Sequence, residues 1–419
     1  MPDISEKPYL IDGILQHYAW GGYSYLTALL GQGNPDRRPT AELWMGAHPK
    51  GPARVVGENE TLDRIIAAAP ADLLGEPVAN RFDNKLPFLF KILDVRQMLS
   101  IQVHPDKKGA EEGFAREELN GPDRNAPNRN YHDSNHKPEL GVALTDFYLL
   151  HGFKSMSAIM DMLRYIPGWE VLVPVLEESG VRGLYQHVME ASQETIDGLL
   201  QPLVNNLGPK LDSGRDYPSF WTHRAVEQYS QDGHHDRGIF SIYWLNIVHL
   251  RPGQGIFQDA GVPHAYLQGT CIELMANSDN CLRGGLTPKH IDVPELLKHI
   301  NFDTITPEII GPTEQGDEWR VFETPAPDFA LSVAEPNEGQ LQINTPDGPA
   351  ILFLLEGALT GNPGENFDLN PTQRMAFLPA GLRLNFEVKG KTTIYRAAVG
   401  NAHKFYVPGG VGHHITDEF

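Results

Sequence analysis

Cysteine is nearly missing from this chain, with two residues in 419, which excludes a disulfide-stapled secreted scaffold. Cys271 and Cys281 read as reduced thiols. No apolar run approaches the roughly 20 residues of a membrane span. The opening MPDISEKPYL has neither the basic start nor the apolar core of a signal peptide. Positive charge is also short: 34 basic residues against 54 acidic ones give a formal charge of −20. Nucleic acid and anionic membrane both require clustered Lys and Arg, so neither is expected as a partner. A Gly-x4-Gly-Lys-Ser/Thr segment is lacking, which removes a P-loop. The expectation is a soluble cytoplasmic protein whose anionic ligands, if any, are held by a few local cations.

The length leaves room for two or three domains at ~100–200 residues each. Up to about residue 154, short apolar or alternating runs are broken by Gly, Pro and Asn, as in 41–46, 86–94 and 140–144, the habit of strands in a sandwich or barrel. The polar stretch 107–120 fits a short helix. Residues 155–235 change to helical spacing after a capping Ser155. β character is predicted again over 238–250, which is dense in aromatic and β-branched residues, and short strands follow from 315 to the end. The segments 257–264 and 377–384 share an aromatic start and an Ala-Gly pair. The predicted class is therefore mainly β with a helical insertion, built of two cupin-type jelly-roll barrels. The catalytic barrel spans 1–154 plus 236–314, the insertion 155–235, and a second, metal-free β domain 315–419. In that second unit Leu384 stands where the first has His264.

Chemistry concentrates in a few places. Gln102 and His104 are two residues apart after an apolar run, so on a strand they share one face. With Glu139 and His264 they make four candidate ligands for one metal, and this N/O set suits zinc at roughly 2.0–2.2 Å without excluding manganese, iron or nickel. There are 17 histidines, so no single one carries weight alone. Lys137 lies two residues from Glu139. Arg283 and Lys289 bracket a Gly-containing turn, a pattern that binds phosphate or an oxyanion, or is a solvated basic loop. Glu273 and Asp279 lie nearby and are candidates for acid–base work, and Trp20 and Glu42 sit beside glycine-bearing or aromatic segments suited to sugar binding.

The motifs Tyr18-Ala-Trp-Gly21, Ala41-Glu-Leu-Trp-Met-Gly46, Gln102-Val-His-Pro-Asp-Lys107, Asn135-His-Lys-Pro-Glu139, Pro263-His-Ala-Tyr266 and Asp279-Asn-Cys-Leu-Arg-Gly-Gly-Leu-Thr-Pro-Lys289 occur in order. The chain thereby resembles the type I phosphomannose isomerases of the cupin superfamily. That resemblance implies a zinc-dependent interconversion of mannose 6-phosphate and fructose 6-phosphate through a cis-enediol. It implies Gln102, His104, Glu139 and His264 as metal ligands, Arg283 as a catalytic residue, and Lys289 with Ser100 as phosphate contacts. Lys137 and Glu273 remain the alternative bases. Two departures stand out: Asp259-Ala-Gly-Val262 replaces an Asn-containing turn, and Cys281 takes the place of a small aliphatic residue. The expected partner is a small sugar phosphate, and a monomer is compatible with that. The competing readings are a non-catalytic sugar-phosphate-binding cupin and a metal-dependent oxygenase.

Overall fold

A single long strand, His264–Ala276, organises the ten-stranded sheet of the computed structural model, which describes residues 7–208, 214–314, 318–361 and 367–400. Its C-terminal part lies between Phe88–Val95 and Glu139–Ala143, with Glu273 opposite both Lys91 and Gly141. Its N-terminal part instead pairs His264 with His151 and with Gln102. The switch occurs where the register slips between Tyr266 and Gln268, followed by Gly269 at φ +122°. A Cβ on Gly269 would sit 2.3 Å from the Asp146 carbonyl oxygen. Only glycine allows both that φ and that approach. With this bend, His264 and Glu273 of one strand line the same cavity.

The chain is largely antiparallel sheet with helices between strands. The ten-stranded sheet is accompanied by an eight-stranded and a four-stranded sheet, both formed mainly from the C-terminal third. Tyr9–Asp12, from the start of the chain, pairs with Met375–Leu378. The two related turns adopt the same backbone, with Gly261 at φ +78° and Gly381 at φ +83°. Residues 315–317, 362–366 and 401–419 of the expected C-terminal unit lie outside the described residues.

Between strands Phe147–Phe153 and Leu245–Leu250 lie the helices Met156–Tyr165, Val173–Glu190, Gln193–Asn205 and Pro218–Tyr229. Ser155 caps the first by accepting from the Ala158 amide, and Asp106 caps Lys107–Asn120 by accepting from Gly109. The helices enclose a core that also takes Ile101 and Val103, both fully buried. Burying these two side chains contributes about 1.5–3 kcal/mol each. Because strand residues alternate, it also turns Gln102 and His104 the other way.

One expectation fails. Gly238–Trp244 is a helix, and strand begins only at Leu245. All seven helical residues are buried, with Phe240 tilted and Trp244 edge-on against Trp169. A segment buried on every side shows no period, so its β-rich composition misleads and packing decides. No helix among the described residues is long and apolar enough to cross a membrane.

Gly269→Ala is expected to lower unfolding stability by about 3 kcal/mol, through the left-handed φ and the backbone clash. A denaturant midpoint equal to the parent's would remove this account of the bend.

Candidate metal centre

His104 Nε2, a Glu139 carboxylate oxygen and His264 Nε2 lie within 4.8 Å of one another, all buried. Glu139 Oε1 is 3.5 Å from His104 and Oε2 is 3.3 Å from His264. Each imidazole is fixed from behind. His104 Nδ1 is 2.8 Å from the Asn280 carbonyl oxygen, and His264 Nδ1 is 2.9 Å from that of Val262. A carbonyl only accepts, so each Nδ1 carries the proton and each Nε2 presents a lone pair to the carboxylate. His104 Nε2 is buried with no hydrogen-bond partner. Three acceptors facing one another repel unless a cation lies between them. The set fits a metal, and N/O donors of this kind suit zinc.

Gln102 borders the same cavity of about 80 Å³. Its strand position is paired on one side with His264 and on the other with Arg283. In this structure its Oε1 accepts from the Cys281 thiol at 3.1 Å. Asn280, fully buried, ties the surrounding loops together: its Oδ1 takes the His132 amide at 2.8 Å and its Nδ2 donates to Asp133 O at 2.7 Å and Asn135 O at 2.9 Å. The same residue's carbonyl orients His104, so the stretch leading to Glu139 and the ring of His104 share one support.

Opposite the histidines is a buried row of charges. Lys91 Nζ donates to Glu273 Oε2 at 2.8 Å and stands 3.7 Å from Glu42 Oε2, which also accepts from Trp44 Nε1 at 2.5 Å. Burial alone would depress the Lys91 pKa, but the two carboxylates more than offset it and hold it above the usual value. Burial raises Glu42, with Lys91 opposing. Lys137 Nζ lies 2.9 Å from Glu139 Oε1. Burial lowers the Lys137 pKa, but the adjacent Glu139 carboxylate outweighs that and leaves it raised in the metal-free site. Asp279 is held below the usual range, burial being outweighed by Lys50 at 2.9 Å and His48 at 3.6 Å.

The remaining sequence candidates surround this centre. Arg283 and Ser100 are half-buried and Lys289 is exposed. Partial burial, then the Arg283 charge, lowers the Lys289 pKa. Trp20 stacks with Tyr18 at 5.9 Å and is not among the residues lining the small cavity. Asp279 lines a larger groove of about 970 Å³ with His48, Lys50 and His132. Sequence reasoning missed Lys91 and Tyr266, both of which line the small cavity. A lone lysine inside the apolar run 86–93 was the available signal for the first. Tyr266 was visible only as part of a motif, and its hydroxyl donates to Gln258 Oε1 at 3.1 Å.

The catalytic-domain model of "Phosphomannose isomerase type I" matches residues 9–156. A mannose-6-phosphate isomerase of Escherichia coli K12 is 40% identical over 362 residues, covering 83% of this chain and 88% of the relative. The chain belongs to the type I phosphomannose isomerase family. A Mus musculus mannose-6-phosphate isomerase is 35% identical, covering 85% of this chain and 89% of the relative. Among solved structures, a mannose 6-phosphate isomerase bound with zinc and yttrium superposes with a TM-score of 0.85 at 37% identity, over 94% of this chain and 100% of that one. The apo form from Salmonella typhimurium gives 0.84 at 37% identity, with the same coverage.

The buried imidazoles set an acid limit. Burial first, then Lys137, pushes His104 down to about 4, and burial first, then His264, does the same to His151. Unfolded, both would titrate near ~6.5. Below that pH the unfolded chain binds protons that the folded chain refuses, so stability falls as pH drops through this window. The metal-free protein is expected to lose melting temperature steadily from pH ~6.5 towards pH ~4. A melting temperature that stays flat across the interval would contradict neutral burial of these rings.

Proposed function

We propose that the chain interconverts D-mannose 6-phosphate and D-fructose 6-phosphate at a zinc site held by His104, Glu139 and His264, with Gln102 as fourth ligand once its amide oxygen leaves the Cys281 thiol. The observation that carries this reading is the convergence of two Nδ1-anchored imidazoles on one buried carboxylate, in a chain that matches mannose-6-phosphate isomerases over most of its length. The rest of the ligand assignment rests on the motif match. Zinc bound there supplies Lewis acidity towards the sugar's oxygens.

The other residues divide the work. Arg283, half-buried and without an ion pair among the described residues, meets the negative charge that develops on the enediolate. Lys289 and Ser100 grip the phosphate, and binding energy from that remote group orients the reacting carbons. Proton transfer between C2 and C1 is assigned to Glu273, a carboxylate of the cavity that is not among the metal ligands; Lys137, paired with the ligand Glu139, is the alternative base. Lys91 holds Glu273 in place at 2.8 Å. Glu42, raised chiefly by burial, and Trp20 with Tyr18 border the sugar. Asp279, paired with Lys50, acts as a fixed charge.

The paired turns at Gly261 and Gly381 and the antiparallel sheets around the centre support the reading of two cupin-type barrels. On that reading only the barrel carrying His264 is catalytic, 155–235 is an inserted helical unit, and 315–419 is the second barrel. The enzyme acts on a soluble small molecule, in keeping with a cytoplasmic protein.

A coupled assay for fructose 6-phosphate tests the reading. Arg283→Ala should lower kcat by about 10²–10³ with zinc retained, the scale for losing one oxyanion partner. Near-normal turnover in that variant removes Arg283 from the chemistry. His264→Ala should lose metal and turnover together. No product from zinc-loaded parent protein would leave a sugar-phosphate-binding protein instead.

A further inference from the structure

Outside the metal centre, one half-buried carboxylate, that of Asp236, has three backbone amides aimed at it. Asp236 Oδ1 accepts from the Gly238 and Leu286 amides, both at 2.7 Å, and Oδ2 accepts from the Thr287 amide at 3.1 Å. Two of these donors lie in the turn that joins Arg283 to Lys289. That turn departs from ordinary backbone, with φ +125° at Gly285 and φ +51° at Leu286. A left-handed leucine persists only where its surroundings over-determine it.

Here they do so from three sides. The Leu286 side chain is fully buried in the helical core. The Gly284 amide donates to Ile101 O at 2.9 Å, and the Ile101 amide donates to Gly285 O at 3.0 Å. Gly238 and Gly285 meet backbone to backbone: a Cβ on Gly285 would lie 2.4 Å from Gly238 Cα. Asp236 closes the third side, from the chain returning out of the helices.

The ends of the turn explain what such rigidity could serve. Arg283 and Lys289 are like charges at the two ends of this short turn, and neither is ion-paired among the described residues. On a free loop they would swing apart. On a fixed one they stay together and wait for an anion, at no reorganisation cost when it arrives. We infer that Asp236 is a positioning residue: its carboxylate locks the 284–288 turn so that Arg283 and Lys289 act as one anion-binding pair for the phosphorylated sugar. This rests on the phosphate role proposed above for Lys289.

Asp236→Asn keeps the shape but turns one acceptor oxygen into a donor facing a backbone amide. Inorganic phosphate, used as a competitive inhibitor, should bind about tenfold more weakly, and kcat/KM for mannose 6-phosphate should fall by at least that factor, as expected for loss of a charge-assisted hydrogen bond. Zinc content should not change. A zinc-replete variant with a lower melting temperature but parent-like phosphate inhibition and kcat/KM would reduce Asp236 to a structural role and overturn the inference. Lys289→Ala separates the two readings. If that variant keeps parent-like phosphate inhibition, the phosphate assignment itself is wrong; if it loses inhibition while Asp236→Asn does not, only the positioning inference falls. Should Asp236→Asn fail to fold, hydrogen exchange on the unaltered protein decides. The Leu286 and Thr287 amides should be as protected as strand amides, and free exchange at both would overturn the lock.

Discussion

Two hydrogen bonds from imidazole Nδ1 to main-chain carbonyls set the chemistry of this protein. They choose the tautomer of His104 and of His264, and so direct both Nε2 lone pairs at Glu139. Without a cation the result is a buried cluster of acceptors relieved only by the Lys137 ammonium. Burial makes such a cluster costly, which is the physical reason a divalent ion belongs there. The carbonyls come from Asn280 and Val262, on the two loops that flank the strand His264–Ala276, so the preference for metal is written into backbone paths as much as into side chains.

The fold serves that convergence through support placed behind it. Ile101 and Val103 are sunk in the helical core, so the next residues along the same strand face the cavity. The bend at Gly269 lets one strand pair with two sets of neighbours, and both His264 and Glu273 line the cavity. Asn280 binds the Asn135 loop to the arginine-bearing segment. His136, just before Lys137, reaches Asp328 of the C-terminal third at 2.8 Å. In this way the helices and the second group of sheets touch the site through its neighbours, without supplying a ligand.

Much of this was legible in the sequence because the relevant periods are short. A spacing of two placed Gln102 and His104 on one face, and the ordered motifs pointed to Glu139, His264 and Arg283 before any coordinates. A cap at Ser155 and the polar stretch 107–120 announced helices that the structure contains. What stayed hidden was hidden for physical reasons. Gly238–Trp244 is buried all round and carries no period, so its composition read as strand. Lys91 looked like an interruption of an apolar strand until the register put it opposite Glu273. Asp236 has no motif of its own, since its partners are amides 50 residues away. The pairing of Tyr9 with Phe377 joins chain ends that no local pattern relates.

The most direct test of the central claim is metal removal and return, followed on one sample. Purified protein should contain zinc in proportion to chain, lose formation of fructose 6-phosphate from mannose 6-phosphate when a chelator strips it, and regain it when zinc is restored. Full turnover after verified removal of the metal would contradict the account at its base.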